Sequence, residues 1–120
     1  MRMRIESAPD SDRAEAFVSI LASSRETAAI DALRRLAANR AMARCAAGAD
    51  AAFVDVYAYL VPRLSRMLFR RTGDRQSAEE LLQRAGWRMY RARSSFHPEG
   101  DVVHWAYGIV RELLVESVGG

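Results

Sequence analysis

The stretch from Asp50 to Thr72, "DAAFVDVYAYLVPRLSRMLFRRT", limits the fold more than any other. Phe53, Tyr57, Leu60, Leu64 and Leu68 recur every three or four residues. Val56, Val61 and Met67 widen the same face, while Arg63, Arg66, Arg70 and Arg71 lie off it. A strand changes sides at every second residue, so this spacing buries a single face only as an α-helix. Asp50 is expected to cap that helix. Pro62 is expected to kink it, because proline removes a backbone donor and clashes with the preceding turn.

The rest of the chain keeps the same period. Ser77 and Glu80 have the S-x-x-E spacing of a capping box, which predicts a helix opened by Ser77 with Ala78, Leu81, Leu82, Ala85 and Met89 on its core side. "SSFHPEGD" reads as a loop through its Pro98 and Gly100. A last helix is predicted from about Asp101 to Val118, carrying Val102, Trp105, Ile109, Val110, Leu113 and Leu114. Upstream, Ser7 to Asp12 reads as a mobile entry, and Phe17, Ile20 and Leu21 mark a short helix from about Asp12 to Ala22. A second S-x-x-E pair, Ser23 and Glu26, predicts a fresh start near Ser24. Ile30, Leu33, Ala37, Ala41 and Cys45 would then line the inner face until Gly48 ends the helix. With no alternating segment or internal repeat, the expected fold is all-α. It is a compact bundle of about three long helices with one or two extra N-terminal helices.

Composition narrows the chemistry. A chain of 120 residues, half of them hydrophobic, suits one domain with one modest core. All 18 basic residues are Arg. Lysine Schiff-base chemistry and a P-loop lysine are therefore excluded. Cys45 is alone, which rules out an intrachain disulfide and predicts a buried structural thiol in a reducing cytoplasm. "MRMRIESAPD" lacks the apolar run of a signal peptide, and no later segment is long enough to span a bilayer, so a soluble, cytoplasmic protein with no membrane contact is expected. Net charge is +3, unevenly spread. Residues 1–61 balance, 62–93 carry nine Arg against three acids, and 94–120 carry one Arg against four. The result is a basic middle followed by an acidic end.

No catalytic constellation stands out. His97, His104 and Cys45 lack ligand spacing, and no metal or cofactor is expected. Glu79 and Glu80 are adjacent and point apart on a helix, where they act as favourable charges near its N-terminus. Without a nucleophile elbow or a phosphate-cradling glycine loop, the chain is not expected to be an enzyme. The predicted fourth helix does have an unusual second face, with Glu79, Gln83, Arg84, Trp87, Tyr90 and Arg91 turned from the core stripe. Large aromatics there are covered by another helix or by a partner. Phe96, Trp105 and Tyr107 pose the same choice between core packing and base stacking.

From Ala41 to about Ser117 the sequence resembles the second conserved region of bacterial RNA polymerase sigma factors of the extracytoplasmic-function group. The matching features, in order, are "AAF" at Ala51 to Phe53, then Tyr57 and Pro62, "RTGD" at Arg71 to Asp74, and "AEELLQ" at Ala78 to Gln83. "RARSSFHP" at Arg91 to Pro98 and the series Trp105, Tyr107, Ile109, Arg111 complete the set. The resemblance implies a sigma region-two domain at 40–118, a helical extension at 1–39, a tail at 119–120, and no C-terminal helix-turn-helix region. It also implies that Glu79, Glu80, Gln83, Arg84 and Trp87 face the clamp helices of the polymerase's largest subunit. Arg91, Arg93, Phe96, Trp105, Tyr107, Arg111 and Glu112 would lie near minus-ten promoter DNA.

The pattern departs from the family at four positions. Arg84 stands where an acid is usual, and Gly86 where a large apolar residue is usual. Gly108 replaces an Arg, and Glu112 an Asn. Three readings follow. The first is a sigma-factor domain that binds polymerase core with degraded promoter recognition. The second is a sigma mimic or decoy that holds an anti-sigma factor or polymerase without reading DNA. The third is a self-associating helical protein with Trp87 and Tyr90 buried in a homodimer.

Overall fold

The computed structural model describes residues 10–119 and is helical throughout apart from turns and loops. Four helices follow in order: α1 (Asp10–Ala46), α2 (Phe53–Thr72), α3 (Arg75–Arg91) and α4 (Val102–Gly119). Short 3-10 turns at Asp50–Ala52 and Arg93–Ser95 precede α2 and follow α3. No helix among the described residues is long and apolar enough to cross a membrane. The predicted entry at 7–12 lies outside the described residues up to position 9, and Asp10 to Asp12 are helical.

The two short N-terminal helices expected from the sequence are one continuous helix. Between Asp10 and Ala46 there is neither Gly nor Pro, so nothing in the backbone forces a break. Ser23 lies in the interior of α1, and its carbonyl accepts the Thr27 hydroxyl at 2.9 Å across one turn. The pair Ser23 and Glu26 is therefore a coincidence of spacing. The chain divides into two compact units after Leu33. In the first, every described side chain from Ser11 to Leu33 is exposed, including Phe17, Ile20, Leu21, Ile30 and Leu33, against the expectation that these line a buried stripe.

In the second unit, Ala38, Ala41, Met42 and Cys45 close one side of a single core. Val56, Leu60, Leu64 and Leu68 of α2, Ala78, Leu81, Ala85 and Met89 of α3, and Val102, Ala106, Val110 and Leu113 of α4 fill the rest. The apolar period read from α2 to α4 is thus the buried face. Among the described residues no polar or charged residue is buried. Cys45 is a free thiol in this core, and loss of solvent raises its pKa above the ordinary value.

Helix ends differ from the predicted caps in two places. Asp50 does not cap α2, because a 3-10 turn intervenes and Ala52 takes the cap position without a side-chain bond. The Asp50 carboxylate instead accepts Arg93 Nε at 3.1 Å. Ser77 does not open α3, which begins at Arg75 with Asp74 as N-cap. The Asp74 carboxylate accepts the Ser77 N–H at 3.0 Å and its hydroxyl at 2.6 Å, and these bonds lower its pKa. Gly73 ends α2 at φ 68°, a left-handed conformation open to glycine, with its N–H on the Phe69 carbonyl. Thr72 Oγ1 then accepts the Asp74 N–H at 3.3 Å, so "TGD" is a self-bonded turn between two helices. Pro62 sits inside α2, which continues on both sides of it.

The start of α4 is tied to α1. Asp101 precedes the helix and accepts the His104 N–H at 3.0 Å, while Asn39 Oδ1 accepts the Val102 N–H at 2.7 Å. Arg35 grips the same carboxylate with Nε at 2.7 Å and Nη2 at 2.6 Å. Bonded chiefly by Arg35, the Asp101 carboxyl is held well below the usual carboxylate range.

Candidate functional site

α3 packs on α2 through Ala78, Leu81, Ala85 and Met89, which turns Glu79, Glu80, Gln83, Arg84, Trp87 and Arg91 outward. All six are exposed, and Trp87, a side chain that normally seeks cover, is 67% exposed. Charge changes sign along this face, with Glu79 and Glu80 near the N-terminus and Arg84 and Arg91 toward the other end. Tyr90, predicted on the same face, is half-buried with its ring edge-on to Phe53 at 5.4 Å. The Arg93 guanidinium lies 4.1 Å from the Tyr90 ring centroid.

Beside Trp87 the surface opens into a groove of about 490 Å³ walled by Phe53, Tyr57, Trp87 and Tyr90, with Gln83 at its edge and Gly86 as its floor. Gly86 is there for a local reason. A Cβ at this position would stand 2.9 Å from Tyr57 Cε1 and 3.0 Å from its hydroxyl, so the ring fills the space a side chain would take. Tyr57 stacks beside Phe53 at 6.0 Å and donates to the Leu82 carbonyl at 3.5 Å. Burial raises its pKa. Phe53 and Tyr57, expected on the core stripe, are partly buried against it, and Gly86 is the position where a large apolar residue is usual. The pairing of an aromatic residue on one helix with a glycine on its neighbour has no signal in the linear sequence.

Across Trp87 lies a second cleft lined by Arg84, Arg88, Arg91 and Ala92. Arg88 is already engaged, since Glu116 of α4 accepts from both its Nη atoms at 2.5 and 2.9 Å. Glu112 lies close enough to act on the Arg88 charge, as does Arg84 on Glu116. The acids of α4 therefore sit on the side that meets α3. Among the described residues, Arg84 and Arg91 form no ion pair.

The set of residues expected near DNA is divided by the structure. Phe96 is buried at 3% exposure, with the Trp105 ring edge-on at 5.6 Å, and Trp105 Nε1 donates to Ser95 Oγ at 3.3 Å. Arg93 is held by Asp50, by the Tyr90 carbonyl at 2.7 Å and by the Tyr90 ring. These three work in packing. Arg91 and Glu112 are exposed on the α3 and α4 sides just described, and Arg111 is exposed one turn after Tyr107, which is half-buried against the core.

Among the described residues no cluster of His, Cys, Asp or Glu could hold a metal ion. The exposed surface of α3 thus carries acids near its start and, on either side of Trp87, an aromatic groove and a cleft of guanidiniums. The profile of one family, Sigma-70 region 2, matches residues 56–118, more than half of the chain. The chain belongs to the sigma-70 region 2 family, which implies RNA polymerase core as partner and a part in transcription initiation. No match was found among curated proteins or solved structures.

Proposed function

We propose that the outer face of α3 docks on the clamp helices of the largest polymerase subunit through Glu79, Glu80, Gln83, Arg84 and Trp87. The single observation that carries this reading is that these five side chains, a large aromatic among them, are all exposed on the side of α3 turned away from its buried stripe. A carboxylate pair and a Gln at the start of an exposed helix complement a basic coiled coil. Promoter DNA is contacted weakly, through Tyr107 and Arg111, because α4 carries Arg111 as its single Arg, with Gly108 where the family has another. No catalysis is involved, and the protein acts in the cytoplasm. Pull-down of the clamp-helix fragment by the intact chain tests the reading. Glu80→Arg together with Gln83→Ala should abolish capture while circular dichroism stays unchanged, and capture that survives the double change would refute it.

The sparse cationic surface of α4 also favours a second reading, a decoy that occupies polymerase or an anti-sigma factor without reading DNA. Binding to fork-junction promoter DNA that weakens steeply with salt would exclude it, since only phosphate contacts produce such a slope.

A further inference from the structure

Resting on the docking reading above, we infer that the partner helix presents a carboxylate to Arg84 and seats an apolar side chain in the groove over Gly86. The partner surface is thus mixed in charge, not uniformly basic.

The groove and the guanidiniums lie on either side of one exposed ring, Trp87. On the groove side the walls are Phe53, Tyr57 and Tyr90, and no charged group lines it. That lining has no use for an ion and suits an aliphatic or aromatic anchor. On the other side three guanidiniums and no carboxylate line the cleft. Glu116 gives both its oxygens to Arg88 and feels Arg84 only through space, so the exposed Arg84 and Arg91 guanidiniums keep their hydrogen-bond donors for a group outside the chain. A helix laid along α3 therefore meets acids first and then, on either side of Trp87, an apolar groove and a cleft of guanidiniums. The complementary helix carries a basic turn against Glu79 and Glu80, an apolar residue at the groove, and an acid within reach of Arg84. Single-stranded nucleic acid fits less well. It would stack on Trp87 and pair with the guanidiniums, but it would leave the groove empty and run its phosphates past Glu79 and Glu80.

The sign of one substitution decides the matter. The intact chain is titrated by fluorescence anisotropy against a labelled clamp-helix fragment of the polymerase's largest subunit. Arg84 and Trp87 are exposed, so the variants should keep the wild-type circular dichroism spectrum. Arg84→Glu should weaken binding by about tenfold or more and Arg84→Gln by a smaller factor in the same direction, as expected when a charged interface contact is lost or reversed. Trp87→Ala should weaken it by about tenfold or more, as for an interface anchor. Unchanged or tighter binding by Arg84→Glu overturns the inference, because it means that a basic surface faces position 84. Displacement of the fragment by a dT20 oligonucleotide, lost in Arg84→Glu, also overturns it in favour of nucleic acid. A wild-type chain that fails to bind the fragment at all sinks the docking reading itself and takes this inference with it.

Discussion

Two glycines in helices, at 86 and 108, face opposite consequences from the same substitution. Glycine inside a helix costs roughly 1 kcal/mol relative to alanine, so propensity alone predicts that both gain from replacement. At Gly108 nothing lies within 4 Å of an added Cβ, and Gly108→Ala should raise stability by about 0.5 to 1 kcal/mol in urea unfolding. At Gly86 the Tyr57 ring stands 2.9 Å away, held by Phe53 and by its bond to Leu82. Gly86→Ala should therefore lower stability, and removing the ring with Tyr57→Ala should make alanine at 86 favourable again, a coupling that a double-mutant cycle reads directly. Tyr57 and Gly86 both matched or broke a family pattern in the sequence. That they answer each other was not legible there, because nothing in a linear pattern says which position of α2 meets which position of α3.

At the scale of elements, α2, α3 and α4 were legible because each buries one face in a solvated bundle, and burial of one face writes itself into the sequence as a period. Their starts were less so. An S-x-x-E pair is a helix start only if the Ser has left the ladder, and neither Ser23 nor Ser77 has. The cap of α3 is Asp74, whose D-x-x-S spacing with Ser77 went unread. Asp74→Ala should lower the thermal midpoint by stripping α3 of both bonds to Ser77, whereas Ser23→Ala should leave it unmoved, as differential scanning calorimetry will show. The face of α3 followed from subtraction, since what the core stripe does not use must point elsewhere. The intended DNA set did not separate so well. Phe96 and Arg93 carry the residue types of a nucleic-acid surface, yet tertiary packing claims them.

For the whole molecule, charge is uneven along the sequence, with an acidic end after a basic middle. In the fold part of that acidity is spent on α3, with Glu116 on Arg88. A second acid of this segment with a long-range role is Asp101, whose pKa is depressed chiefly by Arg35. A group depressed on folding adds stability at pH above its unfolded value of about 3.9 and loses it as pH falls toward the folded value. Stability should therefore decline as pH drops below about 4, and Asp101→Asn should be less stable at pH 7 by about 1 to 2 kcal/mol while showing a shallower acid decline in urea titrations. Neither Arg35 nor Asn39 drew notice in the sequence, since 66 and 62 positions separate them from Asp101. They bear on how the protein can be shortened. A chain begun at residue 40, where family resemblance first sets in, keeps every residue of α2, α3 and α4 but leaves the Val102 amide without its acceptor and Asp101 without its cation. Begun at residue 34, it keeps both. Amide hydrogen exchange at Val102 and His104 should thus be fast in the first fragment and slow in the second, so the smallest autonomous piece of this protein is longer than its recognisable motif.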